Sequence, residues 1–311
     1  MSLALRKIVL ALAASAVLLL ALALPGIAQA TFPGQTGLLV FHLTTDQPGS
    51  AVTGGLYAIG PGDEQPRQLT TNPYDVDPSF APSGDELVFD RNNSRENGIF
   101  TLDLASGQTK RLTNLKSDFE PAFGPHGAIV FCHSFDDNTP DLALRTADGR
   151  VRRLTSSPGR DSAPIFTPNG KRIVFARKPH KSGRPEMLYS IRPDGSGLQA
   201  LHALPRGAYS FDISPSGRRL AFGVFTDESS ERLTSAVWTT RLDGSGLGVL
   251  AKNAFWPAYS PSGTVFAYTN DQGLWQRRAD GHGKPTLLYA ADHSRPYEGN
   301  LATEPAWQPL P

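Results

Sequence analysis

A proline recurs along this chain at Pro82, Pro125, Pro168, Pro215, Pro261 and Pro309, at intervals of 43, 43, 47, 46 and 48 residues. It sits inside six similar segments: DPSFAPSGDELVFD from Asp77, EPAFGPHGAIVFCH from Glu120, SAPIFTPNGKRIVFA from Ser162, YSFDISPSGRRLAFG from Tyr209, WPAYSPSGTVFAYT from Trp256 and EPAWQPLP from Glu304. Self-similarity at this period constrains the fold more than any local propensity. Each copy is one supersecondary unit that buries its apolar face only by stacking on the next.

Within a copy, an apolar or aromatic residue stands two positions before the proline (Phe80, Phe123, Phe166, Ile213, Tyr259, Trp307), and a second apolar run ends at Phe89, Phe131, Phe175, Phe222 or Tyr268. A variable loop and a third short apolar run follow. An Asp-Gly turn at Asp148-Gly149, Asp194-Gly195, Asp243-Gly244 or Asp280-Gly281 then leads into a fourth run. Asp-Gly between apolar runs is a hairpin signal, because glycine accepts positive φ without steric cost. Four antiparallel strands per 45 residues is the blade of a β-propeller. The last copy stops at Pro311 after one strand, while Gly37–Phe41 reads as a second strand. One blade is therefore expected to be shared between the chain ends, giving an all-β, six-bladed propeller over residues 31–311 in one domain.

The pattern P-x-W/F-x-P-x-G-x-x-I/L-x-F, seen as PSFAPSGDELVF and APIFTPNGKRIVF, resembles the WD-like propeller repeat of the TolB family and covers essentially all of the chain after residue 30. The resemblance implies a propeller that docks a protein, a peptide or a cell-envelope component. TolB itself resembles an α/β domain followed by a propeller, and few residues here separate Ala30 from the first strand.

Arg6 and Lys7 precede an uncharged Ala/Leu-rich run over residues 8–24, followed by Pro25 and Ala28-Gln29-Ala30. This is the layout of a secretory signal over residues 1–30, cleaved after Ala30; a run of this length also admits an uncleaved anchor. Either way the propeller is expected outside the cytoplasm, secreted, periplasmic or envelope-associated, with membrane contact only through that segment. Without Arg6 and Lys7 the chain carries 28 Lys and Arg against 29 Asp and Glu. Such a balance gives no support to nucleic-acid binding, and a monomer is expected.

In a blade, the first strand lines the channel, and the second-to-third loops lie on the face where the first strands begin. These loops are long here, and long polar loops on a rigid scaffold are where binding residues tend to sit. Carboxylates gather on the same face. Seven positions before the repeat proline stand Asp75, Asp118 and Asp161, followed by three alanines; five before it stand Asp77, Glu120, Ala163, Ser210, Trp256 and Glu304. The ligand-binding candidates at the channel mouth are accordingly Asp75, Asp77, Asp118, Glu120, Asp161, Trp256 and Glu304. Two roles are open to the acids. They suit a cation, such as calcium, or a basic peptide, or they cap turns by accepting backbone N–H bonds.

One loop is basic (Arg177, Lys178, His180, Lys181, Arg184) and another acidic (Asp227, Glu228, Glu231), as expected of solvated loops. Asp136-Asp137-Asn138 with Asp141 lacks the spacing of a calcium loop. Cys132 is the single cysteine and follows Phe131 in an apolar run, which fits a buried, inert thiol. No G-x-S-x-G elbow, H-E-x-x-H, Walker loop or paired C-x-x-C is present. No cofactor is expected, and binding is favoured over catalysis. The alternative is a metal-assisted lyase or a hydrolase acting on a glycan in the channel mouth.

Overall fold

The computed structural model describes residues 32–45, 52–93, 96–114, 117–135, 139–180, 184–227, 234–291 and 302–311. The signal read over residues 1–30, the run Asp136-Asp137-Asn138, and Lys181, Glu228 and Glu231 lie outside the described residues. Among the described residues the chain forms six four-stranded antiparallel sheets, the blades of a propeller. Blade 1 joins the C-terminal strand Ala302–Leu310 to Gln35–Thr45, Thr53–Ile59 and Arg67–Gln68. Blades 2 to 6 follow in chain order. Their inner strands are Asp75–Phe80, Asp118–Phe123, Arg160–Phe166, Ala208–Ile213 and Phe255–Tyr259. No helix among the described residues is long and apolar enough to cross a membrane.

The repeated residue types have identifiable structural work. Phe41, Phe89, Phe131, Phe175, Phe222 and Phe266 from the second strands are fully buried and fill the layers between blades. Prolines and glycines of the first-to-second turns interlock around the ring. The Cβ that a side chain would add at Gly170 lies 2.6 Å from the Pro125 ring of the preceding blade, and at Gly84 it lies 2.1 Å from the Pro309 carbonyl oxygen. Both glycines also have φ near +70° (65° and 75°), so the P-x-G pattern answers a steric need as well as a turn. The threonine that ends each early repeat accepts a third-strand N–H through its hydroxyl: Thr70 from Leu56 (3.0 Å), Thr113 from Ile99 (3.0 Å) and Thr155 from Leu142 (2.9 Å).

Ring closure is antiparallel, with Leu39 opposite Trp307 and Val40 opposite Ala306. Gln308 secures it twice: its amide donates to the Gly84 carbonyl of blade 2 (2.7 Å), and its oxygen accepts the Leu38 N–H (3.0 Å).

Candidate functional site

The inner strands are not regular. In each, register slips by a bulge around the position five before the repeat proline. The residue there has a left-handed backbone in all six blades: Asp77 (φ 51°), Glu120 (52°), Ala163 (48°), Ser210 (48°), Trp256 (45°) and Glu304 (53°). None is glycine, so each conformation costs roughly 1–2 kcal/mol that surrounding contacts must offset. The bulge turns this ring of residues into the central channel, where all six line one cavity of about 360 Å³. Glycine gave no warning of these positions. Proline did, since Pro78, Pro121, Pro164, Pro257 and Pro305 follow them inside the inner strands, and a mid-strand proline is tolerated at a bulge.

The cavity wall is divided. Blades 1, 2 and 3 contribute Glu304, Asp77 and Glu120, and Asp90 stands behind Asp77 at the end of the second strand, 1% exposed. These carboxylates latch neighbouring blades. Glu304 Oε2 accepts the Asp77 N–H (2.9 Å), Asp90 Oδ1 accepts the Glu120 N–H (3.3 Å), and Glu120 Oε2 accepts the Ala163 N–H (2.6 Å). Asp77 and Asp90 also share a hydrogen bond between their carboxyl groups. Burial, and then the charges of Glu304, Asp90 and Glu120, push Asp77 well above the ordinary carboxylate range. Asp90 is raised well above it by burial and by Glu304, and Glu304 is raised by burial. The arc holds more carboxyl groups than it can ionise without strong repulsion, so a positive charge entering it would be stabilised.

The opposite arc, on blades 5 and 6, is aromatic. Tyr209 stacks on Phe225 (4.4 Å between centroids, 20°) and meets Trp256 edge-on (6.3 Å, 77°). Its hydroxyl pairs with Ser235 Oγ at 2.8 Å, and burial pushes its pKa up to about 12, so it stays neutral. The ring lies flat against Gly223, where an added Cβ would come within 2.4 Å of it. Asp212, also on blade 5, accepts the Tyr259 N–H of blade 6 (2.6 Å).

Of the seven candidate residues, the structure brings Asp77, Glu120, Trp256 and Glu304 together on the cavity wall. Asp75, Asp118 and Asp161 lie elsewhere, buried at the start of their strands, each with a cationic or titratable partner directly opposite in register on the second strand. Arg91 grips Asp75 with two nitrogens (2.6 and 3.1 Å), Arg177 grips Asp161 likewise (2.6 and 2.8 Å), and His133 Nδ1 lies 2.6 Å from Asp118 Oδ1. Even with Arg177, burial leaves Asp161 raised. A signal for these pairs was present in the sequence, since Asp75/Arg91 and Asp161/Arg177 are both 16 residues apart. Arg177 of the basic loop is thus engaged in the fold.

Reasoning from sequence missed Asp90, Tyr209 and Asp212 as members of the site region. Asp141 is buried against Arg153 and Thr155. Cys132 is fully buried and donates to Glu120 Oε2 (3.4 Å); burial and that carboxylate push the thiol well up, which keeps it inert. Among the described residues no group of three or more His, Cys, Asp or Glu side chains is arranged to hold a metal ion.

No family model and no curated protein matches the sequence. Solved structures do match in fold. TolB from Acinetobacter baumannii superposes with a TM-score of 0.70 at 20% identity, over 88% of this chain and 67% of that one. A putative TolB from Agrobacterium tumefaciens gives 0.56 at 19% identity, over 70% and 89%. An oligogalacturonate lyase from Vibrio parahaemolyticus gives 0.52 at 12% identity, over 71% of both chains. At these identities the likeness concerns architecture. By fold, this chain is a TolB-like six-bladed β-propeller.

Proposed function

We propose that this protein is an exported binding module that takes a cationic protein or peptide segment into the channel mouth, from the face bearing the long loops. The observation that carries the reading is the division of one cavity wall. Glu304, Asp77 and Glu120 form one arc, and Tyr209 and Trp256 face them. A guanidinium or ammonium group gains from the crowded carboxylates, while its aliphatic stem or an adjacent apolar residue covers the aromatic side. These acids are not set as a metal-binding group, so a divalent cation such as calcium is proposed only as a ligand drawn by their charge; a calcium-dependent rise in Tm lost in Asp77→Asn would identify it. The TolB-like fold and the leader-like N-terminal sequence support a role in the periplasm or at the cell envelope, with protein or envelope partners.

The test is calorimetric titration of short Arg- and Lys-containing peptides with one aromatic residue, against the unsubstituted protein and against Glu304→Gln and Glu120→Gln. Glutamine keeps an oxygen to accept the latch N–H and removes the charge. Each substitution is expected to weaken binding by about tenfold. Equal affinity for cationic and neutral peptides would sink the proposal.

The second reading, a glycan lyase or hydrolase, is favoured by the Asp77–Asp90 pair, whose shared hydrogen bond keeps a proton available as a general acid. A polyanionic sugar, which the lyase chemistry needs because elimination abstracts a proton beside a carboxyl group, would meet like charge along the whole acidic arc, so hydrolysis of a neutral or amino-bearing glycan suits this wall better. Turnover of such a glycan that Asp77→Asn abolishes would establish it.

A further inference from the structure

The channel has a second mouth, on the face of the first-to-second turns, and there the chain crosses over itself. Gly34 N–H donates to the Pro261 carbonyl (3.3 Å) and Thr36 Oγ1 donates to Ser262 Oγ (3.2 Å), both in a turn of blade 6. Two residues earlier, Phe32 is 7% exposed and lines the central cavity. The buried cluster to which its ring belongs is otherwise built only from blades 3 and 4, including Ala122 and Phe166. Those blades lie across the ring from blades 6 and 1. Two residues of extended chain reach about 7 Å, and an aromatic side chain adds nearly as much, so Phe32–Gly34 spans the mouth from one wall to the other.

We propose that Phe32–Gly34 is a strap closing the turn-face mouth, and that the seat of Phe32 is a binding site for an aromatic side chain presented on an extended segment, filled here by the chain itself. The strap makes the channel a cup open only on the long-loop face. It is held by one buried ring, two hydrogen bonds at its other end and close packing, with the Gly34 Cα against the Leu310 carbonyl oxygen; a Cβ there would lie 2.3 Å from that oxygen. A tethered occupant of this kind acts at an effective concentration of order millimolar. It excludes weak competitors until it is removed, and the site then takes a matching segment from another chain.

The test uses the full chain and the capped pentapeptide Thr-Phe-Pro-Gly-Gln as probe, titrated calorimetrically into the unsubstituted protein, Phe32→Ala and Gly34→Ala. Phe32→Ala empties the seat, so the peptide is expected to bind it at least about tenfold more tightly than the unsubstituted protein. Gly34→Ala leaves the ring but forces the strap off Leu310, and an intermediate gain is expected. Equal affinity for the unsubstituted protein and Phe32→Ala, or no binding to a folded Phe32→Ala, would overturn the proposal. Should Phe32→Ala not fold, Gly34→Ala decides alone: a gain in peptide affinity over the unsubstituted protein supports the strap, and no gain overturns it. The proposal does not rest on the acidic arc, and titration with the cationic peptides reports that arc separately.

Discussion

Asp77 meets three demands with one residue: a left-handed backbone, a latch to blade 1 through its N–H, and a carboxyl group set among three others. The first two are satisfied equally well by asparagine, which tolerates this backbone and can donate to Asp90. The third penalises the charged form. Its folded pKa is raised above the ordinary 3.8, so the folded state holds a proton that the unfolded state releases as pH rises. Stability from this group is fully present below 3.8 and is lost as pH climbs through the raised folded value. Asp77→Asn is therefore expected to raise Tm by a few degrees at neutral pH, with the gain shrinking towards zero as pH approaches 3.8; thermal melts at a series of pH values check this. A uniform gain at all pH values would locate the effect in the backbone and leave the charge argument without support. The sequence made the ring of five-back residues visible, because the repeat aligns them. It concealed their protonation, which depends on Asp90, 13 positions away in sequence and on another strand.

The hairpin of first and second strands is the element in which a buried acid finds its partner. Asp75 faces Arg91, Asp161 faces Arg177 and Asp118 faces His133, each at the register position where the long loop begins. Removing one partner of such a pair leaves an uncompensated buried charge and costs about 3–5 kcal/mol, whereas replacing both with apolar groups costs far less. Arg177→Met is thus expected to lower stability by roughly that amount, and Asp161→Leu combined with Arg177→Met to recover most of it, in a double-mutant cycle followed by urea unfolding. Additive losses would show that the two residues act independently. The four-strand blade was legible from strand lengths and Asp-Gly turns, which are local. The pairing was harder to read, because a bulge between the acid and the repeat proline breaks simple alternation and shifts which residue faces which.

Over the whole molecule, stability depends on a ring that must close, and closure lies in the last strand. Ala302–Leu310 supplies the inner wall of blade 1, the Glu304 latch to Asp77, the Gln308 bridge to Gly84 and the Leu310 carbonyl over which Gly34 passes. Six repeats with a shared blade could be counted in the sequence, because the C-terminal copy stops where the N-terminal strand begins. The strap could not be found there, since the seat of Phe32 is formed by residues of blades 3 and 4 such as Ala122 and Phe166, which lie far along the chain from Phe32 and meet it only once the ring has closed. A chain ending at Thr303 would leave blade 1 with an unpaired edge at Gln35–Thr45 and open the cavity wall to water. Its loss of buried apolar area and latches amounts to more than about 5 kcal/mol, a fall in Tm above roughly 10 °C for a domain of this size. In an array whose blades are stable independently, the same truncation would remove one unit and leave the remaining melt little changed. Calorimetry separates the two outcomes. A single lowered transition, or none, marks a ring that folds as one unit, and a retained high-temperature transition would show that blades 2 to 6 stand without closure.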